Sequence, residues 1–141
     1  MKRLLLYVHF NKYDHISRHV FYQLEHMRPL FDKLVFISNS RLSESEVQKL
    51  RDKHLIDDFI QRENKGYDFA AWHDGMEFVG FDNLKQYDSV TVMNDTCFGP
   101  LWDMAPIYDK YESNPNVDFW GMTNHQGIKA GDIYIHEHLP V

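Results

Sequence analysis

Two stretches of the sequence carry side chains suited to holding a phosphorylated ligand. The first is Met93-Asn94-Asp95-Thr96-Cys97-Phe98-Gly99-Pro100. A carboxylate at the end of a buried strand, flanked by an amide and a hydroxyl, suits a hard divalent cation. Mg²⁺ or Mn²⁺ keeps several waters and needs only one or two protein carboxylates when substrate phosphates supply the remaining oxygens. Asp95 is thus the candidate metal ligand and Asn94 its polar neighbour, with Gly99-Pro100 turning the chain away from the mouth. The competing account is an ordinary turn, because Asn and Asp after a strand readily bond their own backbone. The second stretch is Arg62-Glu63-Asn64-Lys65-Gly66-Tyr67-Asp68-Phe69-Ala70-Ala71-Trp72. Gly66 lets the backbone turn close to a ligand. Asp68 stands at a helix start, where it either caps the backbone or binds. Arg62 and Lys65 suit diphosphate oxygens, although loop cations more commonly face only water.

Other chemistries find less support. No Gly-rich turn ends in Lys-Ser or Lys-Thr, and no G-x-G-x-x-G follows a strand, which disfavours a nucleotide triphosphatase or a dehydrogenase. Cys97 lacks a nucleophile elbow and Ser38 lacks a base at a readable spacing. His136-Glu137-His138 offers metal-ligand types on a strand face, but no third arm is fixed, and a solvated segment explains it as well. The nine histidines are scattered, which fits core or solvated roles for most of them.

The elements that must position these residues alternate short apolar runs with amphipathic stretches, the signature of an α/β fold with crossover connections. Leu4 to Val8 predicts a fully buried strand. Ile16, Val20, Leu24 and Met27 recur at helical spacing, with Pro29 near the end. Lys33 to Ser38 predicts a second strand. Ser43 and Glu46 form a capping-box pair, with Leu42 and Val47 as a hydrophobic staple, opening a helix to about Lys53. Leu55 to Gln61 is a weaker strand interrupted by Asp57 and Asp58. A helix from Asp68 to Gly80 would turn Phe69, Trp72, Met76 and Val79 inward. Ser89 to Met93 predicts a β-branched strand, and Pro106 opens a helix with Ile107, Tyr108 and Tyr111 on one face. Val117 to Trp120 predicts a fifth strand. The division expected is an α/β domain over 1–123 and a loop segment over 124–141 with a short strand at Ile133 to Ile135.

In an open parallel sheet, ligands bind beyond the carboxyl ends of the strands. Those ends here read His9-Phe10-Asn11, Ser38-Asn39-Ser40, Arg62 to Gly66, and Asn94-Asp95-Thr96. All four converge on one rim. Each alone makes an ordinary turn; together they point to a polar ligand.

Composition bounds the partners. With 141 residues, 43% of them hydrophobic, the chain has the size of one domain with a substantial core. A formal charge of −6 without any basic run argues against nucleic acid. The longest apolar run falls far short of the ~20 residues of a membrane helix. Met1-Lys2-Arg3 lacks the apolar core of a secretory signal, and the single cysteine excludes an internal disulfide. A cytoplasmic setting is expected.

At the two ligand-suited segments the chain resembles the rhamnan-synthesis protein F family of bacterial cell-wall polysaccharide biosynthesis. The resemblance extends through Tyr7-Val8-His9-Phe10-Asn11-Lys12-Tyr13, Phe36-Ile37-Ser38-Asn39-Ser40 and Asp118-Phe119-Trp120-Gly121-Met122-Thr123. The order of polar strand ends is similar to that of GT-A-type glycosyltransferases, which implies a Rossmann-like, mostly parallel sheet. The resemblance implies that Asn11, Ser38 and Asn39 contact a nucleoside, that Asn64, Gly66, Asp68 and Asn94 lie along diphosphate and sugar, and that Asp95 holds Mg²⁺ or Mn²⁺. No literal Asp-x-Asp occurs; Asn94-Asp95-Thr96 stands in its place. The resemblance further implies dTDP-L-rhamnose as donor, a lipid-linked glycan as acceptor, and a peripheral position at the inner face of the cell membrane. Inverting transfer would require a base, and the sequence singles out none. Where the family continues into an acceptor-side half, this chain reads His138-Leu139-Pro140-Val141, so the expectation is a donor-side half. The alternative is a non-catalytic sugar-nucleotide-binding or interaction module. An exposed sheet edge would favour self-association.

Overall fold

Uninterrupted burial makes Leu4-Leu5-Leu6-Tyr7-Val8 the centre of a sheet rather than its edge, since a strand covered on both faces has no use for alternation. The computed structural model describes residues 1–122, 128–130 and 133–135. The chain divides into two compact units, Met1–Asp103 and Met104–Val141. In the first, β1 (Arg3–His9), β2 (Lys33–Ser38), β3 (Asp58–Gln61) and β4 (Ser89–Asn94) form an all-parallel sheet in the order β3-β2-β1-β4. The crossovers are α1 (Arg18–Met27), α2 (Glu44–Asp52), and α3 (Tyr67–Val79) with the short α4 (Phe81–Leu84). This is the expected Rossmann-like α/β arrangement.

One face of the sheet packs Leu4, Leu6, Val8, Val35 and Ile37 against Ala71 and Val79 of α3. The helix comes so close that a Cβ on Gly75 would meet Ile37 Cδ1 at 2.5 Å. On the other face Tyr7 stacks on Phe36 at 5.5 Å, and its hydroxyl donates to Gln23 Oε1 of α1 at 2.6 Å. Burial, and secondarily the Asp95 charge, push that phenol well above its usual range. The apolar stripe of α1 is buried as its spacing predicts.

Local signals came out unevenly. Ser43 Oγ accepts from the Glu46 N–H at 3.3 Å, but the Glu46 carboxylate accepts from Ile16 N instead of returning to the cap. Half of the capping box is therefore spent on tying α2 to the start of α1. Asp57 accepts from Leu34 N and Arg28, so β3 begins only at Asp58 and lies at the sheet edge.

Three expectations fail. Phe69 is exposed, because the buried stripe of α3 runs through Ala71, Gly75 and Val79, about 120° round the helix from it. The strand carrying Asn94 is not buried: β4 is an edge strand, with Val90 and Val92 exposed. Val117 to Trp120 forms no strand. Within the second unit the chain turns at Asn114, whose carbonyl and side chain accept from Val117 N and Asn116 N. Trp120 then stacks on Tyr111 and meets Tyr108 edge-on, both from α5 (Ala105–Glu112). Its aromatic surface is satisfied by a helix, which leaves no reason for a sheet. The second unit also holds the antiparallel pair β5 (Ile128–Ala130) and β6 (Ile133–Ile135), the latter as expected. His136-Glu137-His138 lies outside the described residues. No helix among the described residues is long and apolar enough to cross a membrane.

Candidate functional site

The order β3-β2-β1-β4 reverses direction beside β1: the crossovers through α1 and α2 build the sheet one way, and α3 carries it back to the other side of β1. The carboxyl ends of β1 and β4 are therefore the switch point, the place where open α/β sheets bind ligands, and the loop after β4 runs against α1, where the Tyr22 hydroxyl donates to the Pro100 carbonyl. Phe10 N donates to Asp95 Oδ2 between these two ends at 3.1 Å. Two polar groups flank this point, and they differ in how their hydrogen bonds are used.

The first joins the ends of β1 and β2 and closes on itself. His9 is fully buried, stacked on Phe36 at 5.3 Å, with Nδ1 2.9 Å from Ser38 Oγ. Ser38 Oγ accepts from Ser40 N and donates to Ser40 O, so the network is consistent when Nδ1 carries the proton. Among the described residues, His9 Nε2 has no hydrogen-bond partner. Burial lowers the imidazole to about 4, helped by the charges of His15 and His19; the His15 backbone opposes this without reaching hydrogen-bonding geometry. Asn11 is equally committed. Its N–H donates to Ser40 Oγ at 2.6 Å, its Nδ2 to Ser17 Oγ, and its Oδ1 accepts from Tyr13 N. Asn39 N donates to the His9 carbonyl, and Asn39 Oδ1 accepts from Arg62 at 2.7 Å. Arg62 also reaches Asp74 at 2.8 Å and the Lys65 carbonyl at 3.0 Å. Its guanidinium braces the loop against α3, and Lys65 is paired with Glu63.

The second group gathers Asp68, Asn94 and Asp95 at the carboxyl end of β4. Asn94 Nδ2 donates to Asp68 Oδ2 at 2.7 Å, and Asn94 Oδ1 accepts from Thr96 Oγ1 at 2.8 Å. Asp68 does not cap α3. The helix starts after Gly66, which has φ +75°, and a Cβ there would meet Ala70 Cβ at 2.5 Å. Left-handed entry at Gly66 leaves the Asp68 carboxylate for Asn94. Burial pushes the Asp95 carboxyl above its ordinary range; the Phe10 N–H opposes the rise and the Asp68 charge adds to it. His19 Nε2 donates to the Asp95 carbonyl at 2.8 Å, and Trp72 Nε1 to the Met93 carbonyl at 3.1 Å. Two carboxylates and an amide are oxygen donors of the kind that a hard divalent cation takes.

The sequence-predicted residues thus fall into separate places. Asp68, Asn94 and Asp95 come together; Asn11, Ser38 and Asn39 are neighbours within the closed group; Asn64 is exposed on the loop before Gly66. His9 and His19 were missed, although His9 stood in a strand-end motif. Its fully apolar flank on β1 was the available sign of burial. Among the described residues, His73, Asp74 and Glu77 also lie close enough to share a cation, but they are surface groups and Asp74 is paired with Arg62.

The model of the family described as rhamnan synthesis protein F matches residues 34–140. The virulence protein VirA of Vibrio anguillarum is 32% identical over 97 residues, which cover 68% of this chain and 28% of that protein. An uncharacterized protein, y4gN, of Sinorhizobium fredii is 32% identical over 92 residues, covering 64% and 23% respectively. The chain spans about a quarter of the length of these relatives. No solved structure matches.

Proposed function

The chain belongs to the rhamnan synthesis protein F family, and from that premise we propose that it is the donor-side domain of a glycosyltransferase that uses a nucleoside diphosphate sugar, with dTDP-L-rhamnose as the donor. The observation that carries this reading is the grouping of Asp68, Asn94 and Asp95 at the carboxyl end of β4, with Asp68 bonded to Asn94 and Asp95 to Phe10 N. In this reading the nucleoside lies toward the ends of β1 and β2. Asn11, Ser38 and Asn39 shape that end mainly through the backbone they hold, because their side chains are already engaged. Asn64, Gly66 and Asn94 line the diphosphate and sugar.

Asp95 and Asp68 would hold Mg²⁺ or Mn²⁺. The fit rests on chemistry: burial, and with it the Asp68 charge, disfavours the ionised Asp95 carboxylate, and a divalent cation would relieve that repulsion. The ion would supply charge neutralisation for the departing diphosphate. The protein's own part is to orient the donor on a rigid sheet edge and to keep Asp95 in place through the Phe10 N–H. The acceptor is a lipid-linked glycan, reached at the inner face of the membrane.

Calorimetric titration with dTDP, with and without Mn²⁺, tests the reading. Binding should require Mn²⁺ and weaken at least tenfold in Asp95→Ala, about 1.4 kcal/mol. A wild-type chain that binds no dTDP at any Mn²⁺ concentration would sink it.

A further inference from the structure

Two side chains of α1 hold the loop that carries Asp95. His19 Nε2 donates to the Asp95 carbonyl at 2.8 Å, and the Tyr22 hydroxyl donates to the Pro100 carbonyl at 3.1 Å. They stand three residues apart, side by side on a face of the helix distinct from its buried stripe. Between these two carbonyls in the chain, Phe98 rests on the His19 ring with centroids 4.8 Å apart. Both acceptors are backbone oxygens, so α1 fixes the course of the chain here rather than any one side chain.

Asp95 is where that control bears. On its amino side the chain still belongs to β4, with Asn94 in register with Val8 of β1. On its carboxyl side the strand has ended, and the His19 bond sets the plane of the Asp95 carbonyl. With the backbone fixed on both sides, only the side-chain torsions remain, and Oδ2 takes the Phe10 N–H at 3.1 Å. Trp72 of α3 grips the Met93 carbonyl in the same manner at 3.1 Å, but Met93 is already in register with Tyr7 within the sheet. His19 acts one residue past the end of the strand pairing. A carboxylate aimed in advance leaves less to be ordered when a ligand arrives.

We propose that His19 is the positioning residue of Asp95: it fixes the Asp95 peptide from α1 and so holds the carboxylate ready for a divalent cation. The cation in this statement rests on the glycosyltransferase reading; the positioning does not.

The full chain would be compared with His19→Phe, which keeps a ring against Phe98 but has no donor, and with His19→Gln, which keeps an amide N–H donor. In the metal-free chain the Phe10 amide reports the Asp95 bond directly. His19→Phe should speed its hydrogen exchange about two- to tenfold, and His19→Gln should restore the wild-type rate, with the amides of Leu5 and Leu6 at the sheet centre unmoved. Calorimetry with dTDP and Mn²⁺ should follow the same order, about two- to tenfold weaker in His19→Phe and recovered in His19→Gln. Tyr22→Phe removes one hydroxyl from an exposed side chain and leaves Asp95 untouched, so it tests the same grip in a variant that keeps the fold. It should move the Phe10 amide in the same direction by less. The proposal is overturned if His19→Phe leaves Phe10 exchange or Mn²⁺-dependent dTDP binding unchanged. It is equally overturned if His19→Gln fails to restore them, which would make the ring mere packing, or if Tyr22→Phe does as much as His19→Phe, which would put the control in the whole loop. A wild-type chain that binds no dTDP, in which the Phe10 amide still follows His19, would remove the donor reading and leave the positioning role standing.

Discussion

Two polar groups share the carboxyl rim of one sheet and use their atoms in opposite ways. At the ends of β1 and β2, His9, Ser38, Ser40, Asn11, Asn39 and Arg62 satisfy one another almost completely under cover. At the end of β4, Asp68, Asn94 and Asp95 are half-exposed, and the Asp68 charge disfavours ionised Asp95. The difference teaches that a polar strand end in a parallel sheet is not by itself a ligand site. Position across the strand order decides: β1 and β2 lie inside the sheet, whereas β4 is an edge on the far side of the switch point. A closed group should carry stability, and an open one binding.

The largest effect should come from acid acting on the closed group. His9 titrates near 6.5 in the unfolded chain and near 4 when folded. Between those values the unfolded state holds more protons, so the stabilisation is complete above pH 6.5 and is lost as the pH falls toward 4. The loss attributable to His9 is about 3 kcal/mol by pH 4. Urea unfolding across this range, compared with His9→Asn, measures it. Asn keeps a donor toward Ser38 and cannot titrate, so its slope should be shallower; equal slopes would break the assignment.

A smaller loss should follow Arg62→Ala. It strips Asn39 Oδ1 of its partner in a buried setting, and the expected cost is about 2 kcal/mol in urea unfolding. The Asp74 pair adds little, because that carboxylate is nearly half exposed. Arg62→Lys should recover only part of the loss, since one ammonium cannot reach Asp74, Asn39 and the Lys65 carbonyl together.

How much of this was legible depended on the range of the interaction. Leu4 to Val8 and Lys33 to Ser38 announced their strands because burial on both faces writes a continuous apolar run. Ser43 announced its helix because its bond to Glu46 N is local. What was not legible is what is settled far along the chain. Asn11 has the composition of a ligand contact, yet its N–H is spent on Ser40, 29 residues away. Asp68 has the position of a cap, yet Gly66 starts the helix and Asn94 takes the carboxylate. Phe69 fits an inward helical stripe, but the small residues Ala71 and Gly75 set the close face and leave it at the rim. That the polar strand ends share one rim was readable from the parallel α/β pattern; the bond of Asp68 to Asn94 and the closure of the neighbouring group were not.

The smallest effect on stability, and the sharpest on the comparison, should come from Asp95→Asn. The amide oxygen can still accept from Phe10 N, so the link between the ends of β1 and β4 survives. What is removed is a charge that the fold disfavours. A carboxyl raised by burial and by Asp68 contributes its stability only at low pH, where it is protonated in both states, and that contribution is lost as the pH rises past its unfolded value. At neutral pH the charged group is therefore a liability in the absence of a bound cation. Its replacement should leave stability unchanged or raise it by a few tenths of a kcal/mol, while Mn²⁺-dependent dTDP binding falls. Unfolding without metal and calorimetry with it measure the two halves. If Asp95→Asn instead costs as much as Arg62→Ala, the open group is a second structural brace, and the distinction between the two ends of the rim disappears.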